Sequence, residues 1–115
     1  MEPRRINPLN HKSDVVIHNG MVFVSGITPK ITSADVQGQT REVLAKIEGL
    51  LKEAGSDQSK LLTANIWLAN VADYSAMNEV WNAWVIPGKQ PTRACVGATL
   101  ALPGLLVEIA VTATQ

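Results

Sequence analysis

Between Ser33 and Ala54, apolar residues recur at Val36, Val43, Leu44, Ile47, Leu50, Leu51 and Ala54. That three-and-four spacing describes a helix with one apolar face. Ser33 suits its N-cap, and Asp35 falls in the first turn, where the helix dipole favours negative charge. Glu42–Lys46 and Glu48–Lys52 are i,i+4 pairs in the favourable order on the solvent side. Gly55 is placed to end the helix. A helix with a single apolar stripe needs a second layer to cover that stripe.

The flanking segments supply that layer. Residues 1–14 are polar and read as irregular. Val15–His18 and Met21–Ser25 are β-prone runs around Asn19-Gly20, the strongest short hairpin signal because both residues tolerate positive φ. Gly26 and Pro29 end the second strand. Leu61–Ala69 reads as a strand, with Leu62, Ala64, Ile66 and Leu68 on one face and Thr63, Asn65 and Trp67 on the other. Asp73 then caps a second helix with the stripe Tyr74, Met77, Trp81 and Trp84, stopped by Pro87-Gly88. A Met and aromatic stripe at that spacing is core. The last strands span 91–99 and 106–113, joined by a turn at Leu102-Pro103-Gly104.

The order strand, strand, helix, strand, helix, strand, strand predicts a two-layer α+β fold, a mixed β-sheet with two helices on one face. The other sheet face is left without cover. Trp67, Phe23, Cys95, Val107 and Ile109 are candidates to lie there, and self-association is the economical way to bury them. The 115 residues fit one domain, 1–115.

Composition excludes several classes of function. Ten basic and ten acidic residues cancel, and no basic run exceeds Arg4-Arg5, so nothing favours nucleic acid. No apolar run approaches the ~18 residues of a membrane span. The first residues lack the apolar core of a signal peptide. A single cysteine, Cys95, suits a reducing cytoplasm. The two histidines, His11 and His18, form no ligand cluster, so neither a metal nor a cofactor is expected.

Two charges stand out. Arg93 begins the strand that holds Cys95, on the same side of it, and Glu108 interrupts the apolar last strand. A charge in an apolar strand is costly unless it is paired, exposed or used. If the last two strands form a hairpin about Pro103-Gly104, Glu108 lies opposite Thr99, and Arg93 is on the order of 20 Å further along. The two groups then meet only across a subunit boundary, or not at all.

Pro91-Thr92-Arg93-Ala94-Cys95-Val96, the spaced Leu102-Pro103 and Val107-Glu108-Ile109 resemble the C-terminal signature of the Rid (YjgF-type) family of imine/enamine deaminases. Val24-Ser25-Gly26 with Pro29, the Ala54-Gly55 helix end and Met77-Asn78 also fit. The resemblance implies a chorismate-mutase-like fold, a homotrimer with sites in clefts between subunits, and hydrolysis of short 2-imino acids to 2-oxo acids and ammonia. It implies Arg93 as the clamp for a small-molecule carboxylate, Glu108 as the group that orients water, and the Cys95 backbone as a further anchor. Ser25, Gly26 and Asn78 are implied as substrate-binding residues. Many members carry a Tyr in the N-terminal segment. Here that position is about Lys12, and His11 and Lys12 are the candidates to replace it, as in a divergent branch.

Two alternatives stand beside the enzyme. One is a non-catalytic protein that binds or senses a small carboxylate, such as a 2-oxo acid, through Arg93. The other is ribonuclease activity, attributed to some relatives, which the balanced charge and the lack of an acid/base His pair disfavour.

Overall fold

A computed structural model describes residues 2–115. The strands are β1 (Arg4–Pro8), β2 (Ser13–His18), β3 (Met21–Ile27), β4 (Leu61–Leu68), β5 (Thr92–Gly97) and β6 (Val107–Thr114). The helices are α1 (Val36–Glu53) and α2 (Tyr74–Trp84). Short 3-10 turns at Gln58–Lys60 and Val71–Asp73 precede β4 and α2. The strands form one six-stranded mixed sheet in the order β1-β2-β3-β6-β4-β5. Only β4 and β5 run parallel. The two helices make the second layer, as the apolar patterning predicts.

Alternation in β6 separates the two sides of the sheet. Val107, Ile109, Val111 and Ala113 are buried, whereas Glu108, Ala110, Thr112 and Thr114 are half-exposed. The buried set continues through Val22, Val24, Ala64, Ile66 and Leu68 and meets Val43, Leu44, Ile47, Leu50 and Leu51 of α1 with Met77 and Trp81 of α2. Each such aliphatic side chain contributes about 1.5–3 kcal/mol by leaving water. The core is aliphatic because the chain has few aromatic residues to place in it.

The hairpin at Asn19-Gly20 forms as expected, with φ of 51° and 76° at the two turn residues and Ile17 opposite Val22. Gly55 ends α1 at φ 80°. The cap at the other end of α1 is Asp35 rather than Ser33: its carboxylate accepts the Gly38 N–H at 2.8 Å. Glu48–Lys52 forms at 3.2 Å, but Glu42–Lys46 does not. Glu42 instead accepts the backbone N–H groups of Lys30 and Ile31, and Lys46 turns toward Asp14. Free backbone donors at a loop outcompete a solvated ammonium for that carboxylate. Asp73 makes no side-chain cap to α2. The chain enters that helix from the preceding 3-10 turn, which Asn70 caps.

Three further expectations are corrected. Residues 4–8 are a strand, not irregular chain; β1 pairs at the sheet edge with β2, and a polar edge strand has no apolar alternation to reveal it. Near Leu61 the pairing of β4 with β6 slips, so Leu61 is buried and Leu62 is exposed. The third concerns the last two strands. The turn at Leu102-Pro103-Gly104 exists, with Gly104 at φ 85°, but β5 and β6 do not pair. β4 lies between them, parallel to β5 and antiparallel to β6. A Pro-Gly turn does not impose hairpin pairing, and β4 offers β6 a longer partner than β5 does, eight residues against six.

The uncovered sheet face therefore carries Phe23, which is 45% exposed, together with Trp67 and Val96. Cys95 aligns with Ile66 on the core side, and Val107 and Ile109 are fully buried there. These three leave the list of open-face residues.

Candidate functional site

The candidate residues fall into two groups, built by different elements. The first gathers where α2 crosses the start of β5. Arg93 stands beside Ala64, so its side chain rises on the helix side of the sheet. There Asn78 Oδ1 accepts from Arg93 Nη1 at 2.6 Å, and the Tyr74 hydroxyl accepts from Nη2 at 2.8 Å. The guanidinium also lies 5.6 Å from the ring centroids of both Tyr74 and Trp81. Tyr74, Asn78 and Trp81 are spaced i, i+4 and i+7, which puts them on one stripe of α2.

All these partners are neutral. Among the described residues the ion pairs are Lys12–Asp14, Lys46–Asp14 and Lys52–Glu48, and none includes Arg93. A half-buried guanidinium is thus oriented by two acceptors and two aromatic faces while its charge has no counter-ion. Such a guanidinium can take an anion as its counter-ion.

Tyr74 and Trp81 read as core in the sequence; Trp81 is indeed buried, but Tyr74, at the first turn of α2, is exposed. Their second role, cradling Arg93, was detectable only as the helical spacing of Tyr74, Asn78 and Trp81. Cys95 lies one side-chain pair beyond Arg93 on the same side of β5. Burial pushes its thiol pKa up, and the nearby Arg93 charge opposes that only in part. The side chain is therefore a protonated thiol at neutral pH, a poor nucleophile.

The second group forms around β3. Its pairing with β6 shifts between Val24 and Ile27, so Ser25 and Gly26 together oppose the single residue Ala110. This bulge brings the Gly26 backbone against Glu108. A Cβ at Gly26 would fall inside contact distance of Glu108 Oε2, so glycine is what lets the carboxylate lie there. Lys12, from the β1–β2 connection, donates to Ser25 Oγ at 2.9 Å and reaches the Gly26 carbonyl at 3.4 Å. Of the two candidates for the missing Tyr, Lys12 is the one against Ser25; His11 is exposed.

The groups do not merge within one chain. Arg93 aligns through Ala64 with Val111, whereas Glu108 aligns through Trp67 with Val96. The two charges are two strands and three residues apart, about 10 Å in each direction. They also stand on opposite faces of the sheet. The hairpin estimate used the wrong neighbour, but its consequence stands: the two do not meet within one chain. Among the described residues no three His, Cys, Asp or Glu side chains gather to hold a metal ion. No helix among them is long and apolar enough to cross a membrane.

Comparison with known proteins gives the family. The sequence matches the model of the family described as Endoribonuclease L-PSP over residues 2–115. The chain belongs to the Rid/YjgF family. A RutC family protein of Haemophilus ducreyi is 42% identical over 109 residues, covering 95% of this chain and 93% of that protein. The RutC family protein YoaB of Escherichia coli is likewise 42% identical, covering 95% of each. A crystal structure of a YjgF family member from Neisseria meningitidis superposes with a TM-score of 0.97 at 43% identity, covering 100% of this chain and 96% of that one. Membership carries enzymatic potential at the level of the family, without specifying the substrate.

Proposed function

We propose that this Rid/YjgF protein hydrolyses reactive 2-imino and enamine acids to 2-oxo acids and ammonia, as a homotrimer of chorismate-mutase-like subunits with its sites in the clefts between them. The observation that carries the reading is Arg93: a guanidinium oriented by Asn78, Tyr74 and Trp81 that has no counter-ion. A carboxylate is the group all 2-imino acids share, and a planar fork of donors matches it. The uncovered sheet face and the separation of Arg93 from Glu108 support assembly, since one substrate cannot bridge both groups in a single chain.

In this reading Arg93 holds the substrate carboxylate and the Cys95 backbone anchors the same end. Ser25 and the Gly26 backbone of the neighbouring subunit hydrogen-bond the substrate, and Glu108 there orients a water toward the C=N carbon. Asn78 acts through Arg93, as a positioning residue. Attack forms a carbon–oxygen bond and shifts the π electrons onto nitrogen. Proton transfer to that nitrogen and loss of the hydroxyl proton then release ammonia and leave the 2-oxo acid. An iminium is already electrophilic, so holding water and substrate in place supplies much of the rate. The ribonuclease description has weaker support in this chain, whose ten basic and ten acidic residues balance and whose longest basic run is Arg4-Arg5.

The test is to generate 2-iminobutanoate in situ and follow its decay with and without protein. Acceleration that disappears in Arg93→Ala, with the assembly intact, supports the reading. Binding of 2-oxobutanoate without any acceleration would instead make the protein a carboxylate binder or sensor.

A further inference from the structure

We propose that Lys12 makes this site prefer ligands with a second carboxylate, so that the favoured substrates are 2-imino derivatives of dicarboxylic amino acids. The inference rests on the reading above for the Arg93 carboxylate clamp and for the assignment of Ser25 of the neighbouring subunit to the substrate.

Lys12 belongs at once to the Ser25 group and to a neighbouring cavity of about 550 Å³. The charged residues lining that cavity are Lys12, Lys30, Lys46 and Asp14. Three ammonium groups thus face one carboxylate. Asp14 is buried and already shared: Oδ1 lies 3.7 Å from Lys12, while Oδ2 lies 4.0 Å from Lys46 and accepts from Asn7 at 3.2 Å. Glu42 sits near Lys30 but is occupied by the backbone N–H groups of Lys30 and Ile31. The cavity therefore keeps a surplus of positive charge.

Lys12 is placed to extend that surplus to a ligand at Ser25. Of its contacts only the bond to Ser25 is short; those to Gly26 O and Asp14 are long. An ammonium has three donors, and a ligand carboxylate at hydrogen-bond distance is a better partner than the Gly26 carbonyl at 3.4 Å or the Asp14 carboxylate at 3.7 Å. A ligand whose first carboxylate is on Arg93 and whose body reaches Ser25 would present its far end to Lys12. A methyl group there gains nothing from an ammonium, whereas a carboxylate gains a charge-assisted hydrogen bond.

Two oxo acids of equal chain length isolate this effect, 2-oxoglutarate and 2-oxopentanoate, titrated into the assembled protein by calorimetry. In the wild type, 2-oxoglutarate should bind at least about tenfold more tightly, as one charge-assisted hydrogen bond implies. In Lys12→Gln that ratio should fall to near one. Equal affinity in the wild type, binding of neither compound, or a ratio that survives in Lys12→Gln would overturn the proposal. Lys12→Met, which keeps most of the side chain's length and loses the charge, should give the same ratio near one and serves if Lys12→Gln fails to fold. Neither compound undergoes hydrolysis, so a protein that accelerates no imine decay would refute the enzymatic reading and still report this ratio.

Discussion

Replacing Gln39 by Leu should destabilise the protein by about 1–4 kcal/mol, although Leu is the more apolar residue. Gln39 is fully buried in α1. Its amide NH2 donates to Gly104 O at 2.9 Å, with longer contacts to Ala34 O at 3.2 Å and Thr32 O at 3.4 Å. Its carbonyl accepts the Leu106 N–H at 2.8 Å. One side chain thus ties the helix to the loop before it and to the β5–β6 connection, two residues ahead of Glu108. Leu removes both short bonds and leaves the Gly104 carbonyl and the Leu106 N–H without their partner. Gly104 is exposed, so water reaches its freed carbonyl and only the net worth of that bond, about 0.5–1.5 kcal/mol, is lost; the half-buried Leu106 N–H costs about 1–3 kcal/mol, and burying a few more apolar atoms offsets part of the sum. Urea unfolding followed by tryptophan fluorescence measures the loss, with wild type and variant at the same protein concentration because assembly shifts the midpoint. The midpoint should drop with little change in slope. A loss under about 1 kcal/mol would refute the accounting, showing that water or a shifted loop satisfies those groups as well as Gln39 does.

Gly26→Ala should slow imine hydrolysis roughly 10- to 100-fold, because the new methyl displaces the Glu108 carboxylate; steady-state kinetics showing unchanged kcat would dissociate Glu108's position from the chemistry. Cys95 should react with iodoacetamide more slowly than free cysteine at neutral pH. Burial holds its thiol pKa up, so the thiolate fraction, and with it the alkylation rate, should rise only as pH climbs past the ordinary thiol range. Alkylation at the free-cysteine rate near neutrality would contradict that environment. Light scattering should return three times the chain mass, and a stable monomer would remove the inter-subunit site.

Much of the candidate site's inventory was legible because its residue types are anomalous where they stand. Arg93 and Glu108 are charges in apolar strands, and Gly26 interrupts a β-prone run. The partners that give them meaning were less visible. Tyr74 and Trp81 satisfy the helix stripe whether or not they cradle an arginine, and Gln39 is one polar residue within an otherwise ordinary amphipathic pattern. Lys12 was visible as the residue at a substituted position, but its contact with Ser25 depends on how the β1–β2 connection folds over β3.

The sequence by itself determined what is settled between near neighbours. The Asn19-Gly20 turn has φ positive at both residues because those side chains tolerate it, and α1 follows from its stripe and its terminal Gly55. Tertiary structure alone decided which strands lie side by side. Nothing local to β5 or β6 announces that β4 separates them, since pairing is chosen among all apolar strands competing for the same backbone hydrogen bonds. That choice set Arg93 and Glu108 on opposite faces, because side-chain direction alternates with every residue and the register with β4 fixes its phase.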